Sequence, residues 1–218
     1  VKKLIQGIVE FRKNISEENR ELFANLALGQ KPDALFIACS DSRVVPNVFA
    51  STNPGDLFVL RHIGNLVPPC CPGSNDNAAQ AAIEFSVLSL NISNIIVCGH
   101  SECAAMQFIA QGLKHDNCPH LDEWLKYGYG ALNKVKEGRV LNPKLSLSNQ
   151  VSQANVLLQM EHIMSYPFIK ERIDKKQLRV HGWWFDIGHA DVYSYESLYD
   201  QFVLIDEKEA ELILQRLA

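Results

Sequence analysis

The residues with chemistry in them fall in two short runs. Cys39-Ser40-Asp41-Ser42-Arg43 follows the apolar stretch Leu35-Phe36-Ile37-Ala38, and Cys98-Gly99-His100-Ser101-Glu102-Cys103 follows Ile95-Ile96-Val97. A histidine and a cysteine three residues apart on the first turn of a helix share one face and can grip one metal ion. A tetrahedral zinc site needs more than two protein ligands, and Cys39 supplies a third if the two strand ends meet in space. Zinc favours thiolate and imidazole, and a catalytic zinc keeps a fourth position open for water or substrate. The predicted ligands of one Zn2+ per subunit are Cys39, His100 and Cys103. A thiol from Cys98 would close the shell into a structural site, but that residue lies two positions from His100 and is expected to finish the buried strand.

Asp41 and Arg43 decide what such a metal does. An aspartate two residues from a ligand lies beside the metal, where it can coordinate the open position or accept a hydrogen bond from bound water. Arg43 can hold that carboxylate through a bidentate charge-assisted pair that keeps it ionised and aimed. A metal can lower the pKa of its water to around 7. The predicted site is a hydroxide generator with an orienting acceptor.

Both runs need strands that end at one edge. Ala34 to Ala38, Leu57 to Ile63, Asn94 to Cys98 and Leu178 to Ile187 read as strands, with Tyr193 to Tyr195 and Phe202 to Ile205 as a further strand or edge. Helical periodicity covers much of 8–28, where Ile8, Phe11, Leu22, Phe23, Leu26 and Leu28 recur with Ser16 as a second helix start. Further helices are predicted from Asp76 or Asn77 to Leu90, from Ser101 to Gln111, near Leu121 to Tyr127, from Ser148 to Ser165, from Pro167 to Lys175 and from Glu207 to Leu217. The helix ending at Leu90 is apolar nearly all round and is expected to be buried, between subunits if not within one. Lys134 to Pro143 reads as polar connection. Strands alternating with helices predict an α/β fold with a mainly parallel central sheet flanked by helices. Ligands of such sheets gather outside the carboxyl ends of the strands. The 218 residues fit one domain, with 1–30 as an N-terminal helical arm and 31–218 as the core.

Composition limits the functions open to the chain. A formal charge of −4 gives no basic footprint for nucleic acid. No run approaches the roughly 18 apolar residues that span a bilayer, and the start Val1-Lys2-Lys3-Leu4-Ile5 lacks a signal-peptide core. The expectation is a soluble cytoplasmic protein with a small-molecule substrate and neither nucleic-acid nor membrane partners. Six cysteines in a chain of this size, without such a signal, point to metal or catalytic use rather than a disulfide framework. Cys70 and Cys71, flanked by Pro68, Pro69 and Pro72, read as loop residues without a role.

Cys39-Ser-Asp41-Ser-Arg43, Pro54-Gly55-Asp56 with Phe58-Val59-Leu60-Arg61, and Cys98-Gly-His100-Ser-Glu-Cys103 resemble the β-class carbonic anhydrases in order and spacing. The resemblance is strong over about residues 25 to 112 and continues more weakly through Ser165-Tyr166-Pro167-Phe168 and His181-Gly182-Trp183. It lies closer to the plant-type branch, where a glutamine matching Gln30 lines the substrate cleft. It implies reversible hydration of carbon dioxide to bicarbonate and a proton. Asp41 and Arg43 would be the catalytic pair, and Gln30, Phe58, Ile63, Phe85 and Ala104 would line the substrate cleft. It also implies a homodimer or a higher even-numbered homo-oligomer, with the N-terminal arm packed on a neighbouring subunit.

Three departures from the family pattern bear on the site. Ala104 stands where the family usually has glycine, and its methyl group is expected to narrow the approach to the metal. Phe85 replaces a common cleft tyrosine and loses its hydroxyl. An inhibitory bicarbonate site of some bacterial members uses tryptophan, arginine and tyrosine at positions matching Phe36, Arg61 and Phe185, so that site is expected to be absent. Two other readings keep the metal: hydrolysis of carbon disulfide or carbonyl sulfide at the same centre, and a noncatalytic zinc or redox-sensing protein using Cys98, Cys70 and Cys71. A proton must leave after each hydration, and His62, His115, His120, His162, His181 and His189 are candidate carriers.

Overall fold

The computed structural model describes residues 1–70, 77–113 and 117–217, so Cys71, Asp76 and His115 lie outside the described residues. Two helices, α1 (Lys2–Asn14) and α2 (Glu17–Leu26), precede the first strand, and neither contains a buried residue. Ser16 caps α2, its hydroxyl accepting from the Asn19 N–H at 3.2 Å. Strand β1 (Ala34–Cys39) is buried along its whole length, as expected for the centre of a parallel sheet. A short helix α3 (Pro46–Phe49) leads to β2 (Leu57–His62). Helix α4 (Asn77–Glu84) runs into a π-helical turn, Phe85–Ser89, before β3 (Asn94–His100).

The second half places α5 (Ala104–Gln111), α6 (Pro119–Leu125), α7 (Tyr129–Lys136), α8 (Leu147–Met164) and α9 (Pro167–Asp174) ahead of β4 (Arg179–Asp186). Strands β5 (Asp191–Glu196) and β6 (Gln201–Leu204) and helix α10 (Glu207–Leu217) finish the chain. The sheet order is β2-β1-β3-β4-β5-β6. The first four strands pair in parallel and the last two join antiparallel, which is the expected α/β architecture with a mainly parallel sheet. Cys39 sits opposite His62, and His100 opposite Phe185. Both ligand-bearing strands therefore end at one edge.

Helix α8 lies against this sheet and is buried on almost every face. It can approach β3 closely because residue 99 is glycine: a Cβ there would stand 2.7 Å from Val156 Cγ2. No helix among the described residues is long and apolar enough to cross a membrane.

Two local expectations are corrected. The helix expected from Ser101 begins at Ala104, and β3 runs on to His100. Helix α7 fills 129–136, a stretch largely without an expected element, and takes only Lys134, Val135 and Lys136 from the expected polar connection; Gly128 and Gly130 mask its start, while Ala131 and Val135 are buried. The helix running to Leu90, expected to be buried between subunits if not within one, hides Ala79, Ile83 and Val87 within the chain and leaves Phe85 and Leu88 about half exposed there. Its apolar residues exceed what one face of the sheet can cover.

Candidate metal centre

The Cys39 sulfur, an imidazole nitrogen of His100 and the Cys103 sulfur all lie within 4.8 Å of one another. Among the described residues this is the cluster able to hold a metal. The geometry differs in one respect from a shared helix face. His100 is the last residue of β3, and Cys103 is the N-cap of α5. Between them Ser101 and Glu102 make a tight turn, with Glu102 at φ +54°. The turn brings the two side chains together where a helical turn was expected to do so.

The donor set suits a dication. His100 is fully buried, and its Nδ1 contacts the Ser101 carbonyl at 2.8 Å. Its Nε2 is buried with no hydrogen-bond partner among the described residues, which costs free energy unless something occupies that direction. The Cys39 thiol is pulled well below the ordinary thiol range, first by its hydrogen bond with Cys103 and then, against burial, by His100 and the Asp41 backbone. Cys103 is pushed the opposite way by Cys39 and by its own burial. A divalent cation held between the two sulfurs would favour the thiolate form of both. The Gly64 N–H donates to the Cys39 sulfur at 3.3 Å. Gly64 has φ +69°, and a Cβ there would stand 3.0 Å from both Ala105 Cβ and Met106 Cε. A side chain at 64 would therefore crowd the first turn of α5 and be strained by the positive φ.

Asp41 faces the same space, its Oδ2 lying 4.0 Å from His100 Nε2. Arg43 holds it from both sides, with Nε donating to Oδ1 at 2.9 Å and Nη2 to Oδ2 at 2.7 Å. The Arg43 backbone N–H adds a third bond to Oδ1 at 3.0 Å. These bonds hold the Asp41 carboxyl well below the usual carboxylate range, so at neutral pH it can only accept. Arg61 braces the backbone, donating to the Cys39 carbonyl at 3.0 Å and to the Asp41 carbonyl at 2.7 Å. Phe36 and Phe185 belong to a packed aromatic group in which Phe49 stacks on Phe185 at 4.7 Å.

The proposed cleft residues are more dispersed. Phe58 and Phe85 contact each other with ring centroids 5.8 Å apart. Ile63 is 45% exposed, and its carbonyl accepts from the Trp124 indole at 2.9 Å. Gln30 is exposed in the connection between α2 and β1. Ala104 is exposed at the start of α5, and the close packing in that segment falls one residue later, at Ala105. An open groove bounded by Ser40, His62, Ile63, His120 and Trp124 runs past the Cys39 end of the site, so two of the six remaining histidines line it. Cys98 is fully buried in β3, and that burial pushes its thiol up. Cys70 is exposed in a loop.

Sequence reasoning passed over a row of buried polar residues on α8. Asn149, Ser152, Asn155 and Gln159 recur at intervals of three or four and are all buried. That spacing was the available signal.

A family model described as "Carbonic anhydrase" matches residues 34–192. A carbonic anhydrase of Synechocystis is 35% identical over 204 residues, covering 93% of this chain and 74% of that protein. One from Helicobacter pylori strain J99 is 35% identical over 211 residues, covering 92% and 93% of the two chains. Among solved structures, the beta-carbonic anhydrase CcaA superposes with a TM-score of 0.85 at 34% identity, over 95% of this chain and 92% of that one. A tetrameric beta-carbonic anhydrase of Sordaria macrospora gives a TM-score of 0.76 at 30% identity, over 88% and 94%.

Proposed function

The chain belongs to the β-class carbonic anhydrases, and from that premise we propose that its Cys39, His100, Cys103, Asp41 and Arg43 carry out the zinc-dependent, reversible hydration of carbon dioxide to bicarbonate and a proton. The observation that carries this assignment is the Cys-His-Cys cluster with an unpartnered buried Nε2, 4.0 Å from a carboxylate locked by arginine.

Cys39, His100 and Cys103 would hold the zinc. When bound there, zinc supplies Lewis acidity that brings the pKa of a coordinated water to around 7. The chain's own part is orientation. Asp41, ionised and acceptor-only, takes a hydrogen bond from the attacking oxygen and turns a lone pair toward the substrate carbon. Arg43 prevents Asp41 from swinging and keeps it from being protonated. Arg61 fixes the strand-end backbone on which Cys39 and Asp41 stand. Phe58, Ile63 and Phe85 form an apolar wall suited to a nonpolar gas, and Gln30 donates to a substrate oxygen. The proton leaves along the groove that His62 and His120 line.

The working unit is an even-numbered homo-oligomer in which residues 1–30 pack on a neighbouring subunit and 31–218 form the zinc core. Helix α1 has 13 residues, none of them buried. Isolated helices of about that length are marginal in water. Covering Leu4, Ile5, Ile8 and Phe11, all more than half exposed, would contribute roughly 1.5–3 kcal/mol per side chain.

Stopped-flow hydration of carbon dioxide by zinc-replete protein tests the assignment. We expect metal-dependent turnover that rises toward alkaline pH, and a loss of about 1,000-fold or more in Cys39→Ser. A metal-free protein as active as the replete one would overturn it.

A further inference from the structure

The polar row on α8 does more than satisfy itself. Asn149 Oδ1 accepts the backbone N–H of Glu102 at 2.8 Å, and Asn149 Nδ2 donates to Glu102 Oε1 at 3.0 Å. This two-point clasp holds the turn between His100 and Cys103. One helical step on, the Ser152 hydroxyl donates to the His100 carbonyl at 2.8 Å and accepts the Trp184 indole N–H at 3.1 Å. A further step on, Asn155 Nδ2 donates to the Gly64 carbonyl at 3.1 Å, and Gly64 is the residue whose N–H reaches the Cys39 sulfur. Three consecutive members of one helix face thus each grip the backbone beside a different ligand.

Buried polar side chains are normally hydrogen-bonded somewhere, so satisfaction alone would not distinguish these residues. Their targets do, and so does the conformation held. Glu102 is a non-glycine residue in the left-handed region, which side chains resist. Its carbonyl also accepts from Arg43 Nη2 at 3.0 Å, so the clasped turn touches the arginine that holds Asp41.

We propose that α8 is the template of the metal centre and that Asn149 is its principal positioning residue, holding Glu102 in a left-handed turn so that His100 and Cys103 converge. The proposal rests on Cys39, His100 and Cys103 being the zinc ligands. Outer partners of this kind typically change metal affinity 10- to 100-fold.

The test is the zinc dissociation constant of the full chain, measured by competition with a chromophoric chelator. Asn149→Ala is expected to bind zinc about 10- to 100-fold more weakly and to shift the visible spectrum of the cobalt-substituted protein. Adding Glu102→Gly to Asn149→Ala is expected to recover most of the affinity, because glycine adopts positive φ without penalty. A merely structural role for Asn149 would not be rescued by that change. Should Asn149→Ala fail to fold, Glu102→Ala, at an exposed position, removes half of the clasp and is expected to weaken binding about three-fold. Wild-type zinc affinity in Asn149→Ala, no recovery on adding Glu102→Gly, or an unchanged Glu102→Ala in the fallback case would each overturn the proposal. If the unsubstituted chain itself takes up no zinc, the ligand assignment fails and the proposal falls with it. If it binds zinc and Asn149→Ala binds equally well, only the positioning role fails.

Discussion

Cys39, His100 and Cys103 are at most 4% exposed, and the backbone around them is tied to β2, β4 and α8, whereas Ile63 and Phe85 are each 45% exposed and α1 buries nothing. One chain therefore supplies the whole metal-binding end of the site. The substrate end stands open to solvent. On the proposed reading, the difference teaches where the work of a second subunit lies: the three candidate zinc ligands are buried within one chain, while the apolar wall and the arm would gain their burial from a neighbour. Metal uptake and turnover should then respond differently to the same perturbation.

The sharpest way to separate the two ends is to disable the carboxylate without touching a ligand. Asp41→Asn should keep zinc at one per chain while turnover falls about 100- to 1,000-fold. Equal loss of zinc would merge the two ends and count against the division. Arg43→Ala should act through Asp41. The folded-state pKa of Asp41 is depressed, first by the Arg43 side-chain hydrogen bond. Its stabilising contribution is therefore present above the ordinary value near 3.9 and is lost as pH falls through the depressed one. Removing Arg43 should move the Asp41 carboxyl titration upward toward about 3.9 by NMR; an unmoved titration would contradict the role given to the pair.

A smaller effect is expected from the open end. Ile5→Asp with Ile8→Asp places two charges on the exposed apolar face of α1. Sedimentation should show smaller species, zinc content should stay unchanged, and turnover should fall by about ten-fold as the cleft loses the neighbour's cover. An unchanged assembly would remove the arm from the interface.

The smallest effect concerns acid tolerance of the core around the site. Burial lowers the pKa values of His162 and His181, so the folded state holds them neutral while the unfolded chain protonates them near 6.5. Stability should decline as pH drops from about 6.5 toward those lowered values. His162→Gln should flatten that decline in melting temperature, and an equally steep decline in the variant would exclude His162 as a source.

How far these regions could be read from residues alone follows the same division. The ligand runs were legible because buried parallel strands are unbroken apolar runs and because metal chemistry restricts residue types sharply. The turn at Ser101-Glu102 was not, since a left-handed glutamate is held there by partners distant in sequence, Asn149 on its N–H and Arg43 on its carbonyl. Helix α7 was hidden by glycines whose space is filled from elsewhere: a Cβ on Gly128 would stand 2.6 Å from Ile109 Cδ1. Phe85 and Leu88 advertise burial that one chain does not provide. The row Asn149, Ser152, Asn155, Gln159 looks solvent-facing by composition, because polar side chains on a helix usually are. Only the strand ends opposite reveal what it holds.

X-ray absorption at the zinc edge of the as-purified full chain tests the central claim most directly. The structure predicts a four-coordinate shell of two sulfurs, one imidazole nitrogen and one oxygen, reduced to a single sulfur in any zinc retained by Cys39→Ser. A shell of four sulfur and nitrogen ligands, or one unchanged by that substitution, would contradict it.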